Sequence, residues 1–231
     1  MFQRKLFRAV MLTLCVCIIH TGNTQYEHCD YKPATEDKSL PLKSSINIGD
    51  YTKAIQFIKA YLKKNSYDLS KLQKKSKSCF AIINSVFEKN DIPTELRYLA
   101  VVESNLNAQL INEIGATGLW QIMPVTGREL GLTISATTDE RLNIYKSTKA
   151  VAKYLKQLYE LYGDWLLVVA AYNSGPGYVN RAIRLSGSTD FWQLQNWLPA
   201  ETRNHVKKFV SINFYFESLQ AKSEEKMIAK S

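Results

Sequence analysis

The chain has 231 residues but only four cysteines and three histidines. Cys15 and Cys17 fall inside one apolar stretch. Cys29, Cys79, His28 and His205 show no zinc-ligand spacing. Neither a zinc centre nor a disulfide-stapled scaffold is therefore expected. Long apolar runs are missing too. The longest, Ala9 to Ile19, has eleven residues, and a bilayer core takes about 20. No segment keeps the strict alternation of a half-buried strand, and no internal repeat recurs. What is present is 45% apolar and 11% aromatic residues, enough for a real core. The length suits one packed domain with peripheral segments.

The start of the chain reads as an export signal. Arg4, Lys5 and Arg8 form a positive head, the apolar stretch follows, and Thr21 to Thr24 offers a small, polar cleavage region. Removal of residues 1–24 would lower the net charge from +9 to +6. The mature protein is then expected in the periplasm or cell envelope. A lipoprotein cysteine follows a small residue, whereas Leu14 and Val16 precede Cys15 and Cys17, which argues against lipidation. Residues 25–50 read as a linker or loosely docked arm, 51–221 as a helical domain, and 222–231 as a polar tail.

Helical periodicity begins at Tyr51. Ile55, Ile58 and Leu62 mark one face; Leu69, Leu72, Cys79, Phe80, Ile83, Val86 and Phe87 mark a longer one. A cysteine on that stripe suits a buried thiol, and pairing with Cys29 stays open. Between Lys53 and Lys77 stand eight lysines against Asp68. A solvated helix face is favoured over nucleic-acid binding. Asp91 to Thr94 breaks the chain, and Thr94 followed by Glu95 should open a short helix. Ile144, Thr148, Val151, Leu155, Leu158 and Tyr162 form the cleanest amphipathic pattern. Gly163 should stop that helix and Asp164 cap the next. Trp165 to Tyr172 has no polar side chain except the tyrosine hydroxyl, so it should be buried all round. A last helix is expected from about Ala200 to Leu219. The fold class is mainly α.

Glu103 ends the apolar run Tyr98 to Val102 and precedes Ser104. A carboxyl group against a water-poor wall resists ionisation, and an acid tuned in this way can protonate a leaving group. Gly118-Leu119-Trp120-Gln121 follows and leads into Met123-Pro124. Ala171-Tyr172-Asn173-Ser174-Gly175 and Glu201-Thr202-Arg203 come later. In this order and spacing the four motifs resemble the soluble-type lytic transglycosylases (glycoside hydrolase family 23), closest to the membrane-bound D-type enzymes. The resemblance covers roughly residues 70–217, with the motif core at about 90–217. It implies the single catalytic domain of lysozyme-like (goose-type) fold.

The resemblance also implies an activity, cleavage of the MurNAc–GlcNAc β-1,4 bond of peptidoglycan without water. Glu103 would protonate the leaving oxygen, the sugar's own N-acetyl oxygen would attack C1, and the C6 hydroxyl would close a 1,6-anhydro ring. No cofactor or metal is implied. Ser104 would orient Glu103 or the N-acetyl group, while Asn112, Gln121, Met123, Tyr172, Asn173 and His205 would hold the substrate. Gly115 and Gly118 would let backbone approach the glycan, and Trp120 is expected in the core. Asn112 stands where the family often has serine, and His205 where it often has tyrosine. A protonated His205 would favour the Glu103 carboxylate, so activity should fall at mildly acidic pH.

The expected partner is the glycan strand and not nucleic acid. A monomer is expected, with membrane or envelope association left open. Two rivals remain. A lysozyme-type hydrolase of the same fold would need a second carboxylate, for which Asp139, Glu140 and Glu113 are the candidates by sequence. A glycan-binding scaffold without turnover would not need Glu103 at all.

Overall fold

A computed structural model describes residues 54–228, apart from the side chains of residues 220 and 222–228. The expectations for residues 1–53, including the export signal, the arm and Cys29, lie outside them. The described chain forms α1 (Ile55–Lys89), α2 (Tyr98–Ser104), α3 (Pro124–Glu129), α4 (Ile144–Tyr162), α5 (Trp165–Ser174), α6 (Pro176–Ser186), α7 (Phe191–Leu194) and α8 (Ala200–Ile228). Tight 3-10 turns precede α2, α4 and α8. Among the described residues no strand forms, and isolated bridges join Ile111 to Thr117, Thr117 to Ile122 and Ile134 to Asp139. The mainly α expectation holds.

The centre is α5. Leu166 to Ala171 are all buried, because the helix packs against α4, α6 and α8 at once. A helix covered on several sides needs apolar residues around its whole circumference. Its entry is fixed by chemistry local to the turn. Gly163 ends α4 in left-handed backbone at φ 63°, and the Asp164 side chain accepts from the Leu167 backbone N–H at 2.9 Å.

Three elements depart from the sequence reading. The two apolar faces before Lys89 belong to one 35-residue helix, α1. Lys63 to Asp68 contain no glycine or proline to interrupt it. Its buried stripe (Ile58, Leu69, Cys79, Ile83, Val86, Phe87) turns inward, and α1 packs against α4 and α8. Lys59, Lys63, Lys64, Lys71, Lys74, Lys75 and Lys77 are exposed, as a solvated face should be. Cys79 is buried and has no disulfide partner among the described residues, and burial pushes its thiol up to about 11. Second, Thr94 does not cap with its side chain; Thr94–Arg97 is a 3-10 turn after Pro93. Third, α8 runs past Leu219 to Ile228, since Ala221 to Met227 contains good helix formers.

Candidate active site

Glu103 lies one residue from the end of α2, just after the buried Leu99, Ala100 and Val101. The helix stops there because Asn105 (φ 51°) and Leu106 (φ 62°) adopt left-handed backbone. Asn tolerates that region well and Leu poorly, so the turn after the Glu-Ser pair holds strain. The Glu103 side chain is 15% exposed, and its Oε1 lies 2.8 Å from Nε2 of His205, itself 10% exposed, in the second turn of α8. Two residues 102 positions apart thus meet at one carboxyl oxygen.

Ser104 turns away from this contact. Successive helical residues are rotated by about 100°, and the Ser104 hydroxyl donates to the Leu119 carbonyl at 2.8 Å, with the Ala100 carbonyl at 3.1 Å. Its one proton is thus given to backbone and not to Glu103, and Ser104 fastens α2 to the segment carrying the second motif.

That segment, residues 110–122, is a knot of short-range bonds. Asn112 Oδ1 accepts from the backbone N–H groups of Ile114 (3.1 Å) and Ala116 (2.8 Å). Its expected substrate contact is therefore replaced, at this oxygen, by loop closure. Gln121 takes positive φ (47°) and donates its amide N–H groups to the carbonyls of Leu110 (3.2 Å) and Gly118 (3.0 Å). Its side-chain oxygen is the atom left for a ligand. Gly118 meets a demand from within the fold. A Cβ there would lie 2.1 Å from the Arg141 carbonyl oxygen, and φ is 83°. Only glycine fits beneath that backbone.

Trp120 is fully buried, as expected, and donates from Nε1 to Thr148 Oγ1 at 3.0 Å. The Tyr172 hydroxyl donates to the Trp120 carbonyl at 2.7 Å. Burial pushes this phenol up, and the negative charge of Glu103 adds to the effect. The hydroxyl's one proton is spent on backbone, and the half-buried ring is the part of Tyr172 that remains for packing. Asn173 is half-buried, and Met123 stands partly exposed before α3.

The residue missed from sequence is Arg141. It is buried, and its Nη1 donates to the carbonyls of Gly115 (2.8 Å) and Ile122 (2.9 Å). Its Nε and Nη2 grip Asp139 at 2.9 and 2.7 Å. One guanidinium therefore pins both ends of the 115–122 loop. The sequence signal was the Asp139-Glu140-Arg141 run, read there only as a source of spare carboxylates. Glu140 is also engaged, with the Lys146 ammonium and with the Thr133 backbone N–H at 2.8 Å. Among the described residues no group of three His, Cys, Asp or Glu side chains is placed to hold a metal ion.

The profile of the family described as "Transglycosylase SLT domain" matches residues 81–195. The chain is 37% identical over 158 residues to membrane-bound lytic murein transglycosylase D of Escherichia coli K12, covering 66% of this chain and 34% of that one. It is 29% identical over 137 residues to the soluble lytic murein transglycosylase of Salmonella typhimurium, covering 56% and 21%. The chain spans about a third of the length of the transglycosylase D relative. Among solved structures, the 70 kDa soluble lytic transglycosylase of Escherichia coli superimposes with a TM-score of 0.56 at 23% identity, covering 78% of this chain and 32% of that one. An inactive Glu→Gln mutant of lytic transglycosylase Slt from Pseudomonas aeruginosa gives a TM-score of 0.51 at 25% identity, covering 61% and 24%. With a helical fold of lysozyme-like type, the four motifs in order and the family profile over residues 81–195, the chain belongs to the transglycosylase SLT family.

Proposed function

We propose that this chain is a peptidoglycan lytic transglycosylase that acts with Glu103 as its one acid and base. The observation that carries the reading is the inequality between Glu103 and the three carboxylates that the sequence offered as partners. Glu103 is mostly buried and, among the described residues, bonded through one oxygen only. Asp139 gives both oxygens to Arg141, and Glu140 gives both to Lys146 and Thr133. Glu113 is exposed. A hydrolase that holds its substrate between two carboxylates needs a second free one across the bond; of the three, Asp139 and Glu140 are already committed and Glu113 lies out in solvent. A single acid suffices when the substrate supplies the nucleophile.

The reaction then runs in two balanced steps. Glu103 passes its proton to the glycosidic oxygen as the C1–O bond breaks, and the N-acetyl oxygen of N-acetylmuramic acid bonds to C1. Glu103, now a carboxylate, takes the proton of the C6 hydroxyl as that oxygen bonds to C1 and the acetyl oxygen departs. The product is a 1,6-anhydro end. The Gln121 oxygen, the Asn173 amide, the Met123 side chain and the Tyr172 ring are assigned to the sugar. A place in the cell envelope follows from the substrate and suits relatives named as membrane-bound and soluble murein transglycosylases. No helix among the described residues is long and apolar enough to cross a membrane.

Glu103→Gln keeps the shape and removes the proton. Turnover of purified sacculi should fall by at least roughly 10²–10⁴-fold, the contribution usual for such a group. A variant that clears sacculi at the wild-type rate would refute the assignment.

A further inference from the structure

The two oxygens of Glu103 are not equivalent. Oε1 faces His205 Nε2 at 2.8 Å. Two further hydroxyls come into question, that of Ser104 as the chain neighbour and that of Tyr172, whose phenol feels the Glu103 charge. Each has a single proton. Ser104 gives its proton to a main-chain carbonyl, with Leu119 nearest, and Tyr172 gives its own to Trp120. Neither can also serve Glu103.

The other nitrogen of His205 decides where the imidazole proton sits. Nδ1 is sealed from solvent and, among the described residues, has no hydrogen-bond partner. In folded proteins an orphaned buried N–H is the rarer defect; an under-satisfied buried acceptor occurs somewhat more often. Three arrangements of the pair are conceivable. If Glu103 donated to Nε2, the imidazole proton would be on Nδ1, stranded, and the acid proton would point at histidine instead of substrate. An imidazolium would strand the same Nδ1 proton. Only the neutral ring protonated at Nε2 leaves no orphan donor.

We propose that His205 is a neutral Nε2–H imidazole that donates to Oε1 of Glu103 and so reserves Oε2 for the proton exchanged with substrate. This rests on the lytic transglycosylase reading and adds to it a division of labour within the carboxyl group. The Oε2–H proton leaves for the glycosidic oxygen, and the C6 hydroxyl proton returns to the same Oε2. Oε1 keeps its bond from His205 throughout, and that bond steadies the carboxylate formed between the two steps. His205 is thus a positioning residue, acting through Glu103.

The test has two arms that fail separately. In 15N-labelled full-length protein at pH 7.5, long-range 1H–15N correlations report which nitrogen of each histidine carries a proton. The chain has only His20, His28 and His205, so loss of one signal set in His205→Gln assigns it. The expected result is His205 protonated at Nε2 and bare at Nδ1. A proton on Nδ1, alone or on both nitrogens, overturns the proposal whether or not the protein is active. In kinetics, His205→Leu removes the donor and should lower kcat by roughly 10²-fold with KM within about twofold. His205→Gln, which carries an amide N–H at similar reach, should recover all but about threefold of the rate. Equal rates in the two variants, whether both high or both low, would overturn the positioning role. Should His205→Leu fail to fold, the wild-type tautomer still decides. If wild-type protein released no anhydro ends, the functional reading would fail while the tautomer result stood.

Discussion

Asp139 and Arg141 show what a single buried charge does here. Hydrogen bonds from the Arg141 side chain hold the Asp139 carboxyl below its ordinary value. The folded value thus lies under the unfolded one of about 3.9. Stability from this pair is fully present above about pH 4 and is lost as pH falls through the lowered folded value. Asp139→Asn should cost about 1.5–3 kcal/mol at pH 7, and its urea midpoint should converge on that of the wild type toward about pH 2. Parallel midpoints across that range would show that the pair does not titrate with folding. Glu103 and His205 could be picked out from motif order alone. The turning away of Ser104 could not, because adjacent helical residues differ by about 100° in direction and the sequence does not say which one meets residue 119.

The joints between elements were legible wherever backbone chemistry is local. Gly163 and Asp164 carry their stop and start signals within a few residues. Asp164→Ala should cost about 1 kcal/mol through loss of the cap on α5. Burial raises the Asp164 carboxyl, so the charged form is disfavoured in the fold. Asp164→Asn retains an acceptor without that charge and should stay within about 0.5 kcal/mol of the wild type in thermal melts. A loss equal to that of alanine would disprove the cap. The loop of residues 110–122 was not legible, since its geometry depends on Arg141, about twenty residues further on. Gly118→Ala would force a Cβ to 2.1 Å from the Arg141 carbonyl at positive φ. It should cost about 3 kcal/mol or more, read as a fall in melting temperature together with loss of turnover. A fully stable Gly118→Ala would mean that this loop does not lie where the structure puts it.

Across the whole molecule, the apolar pattern of Trp165 to Tyr172 was enough to locate the central helix, because a segment apolar on every side fits only where helices surround it. The single long α1 was not evident, since its lysine-rich middle interrupts the buried stripe without breaking the helix. That charged face stays in solvent while the buried side of α1 joins the core with α4, α5 and α8. The packing of those helices brings the end of α2 and the start of α8 together at one carboxyl group. The central claim is that this lone acid breaks a glycan linkage by letting the sugar attack itself. Mass spectrometry of the ends released from purified peptidoglycan by the full-length chain tests it most directly. The account predicts anhydro ends, lighter than reducing ends by one water, about 18 Da. Reducing ends in their place would mean that water is the nucleophile and would contradict it.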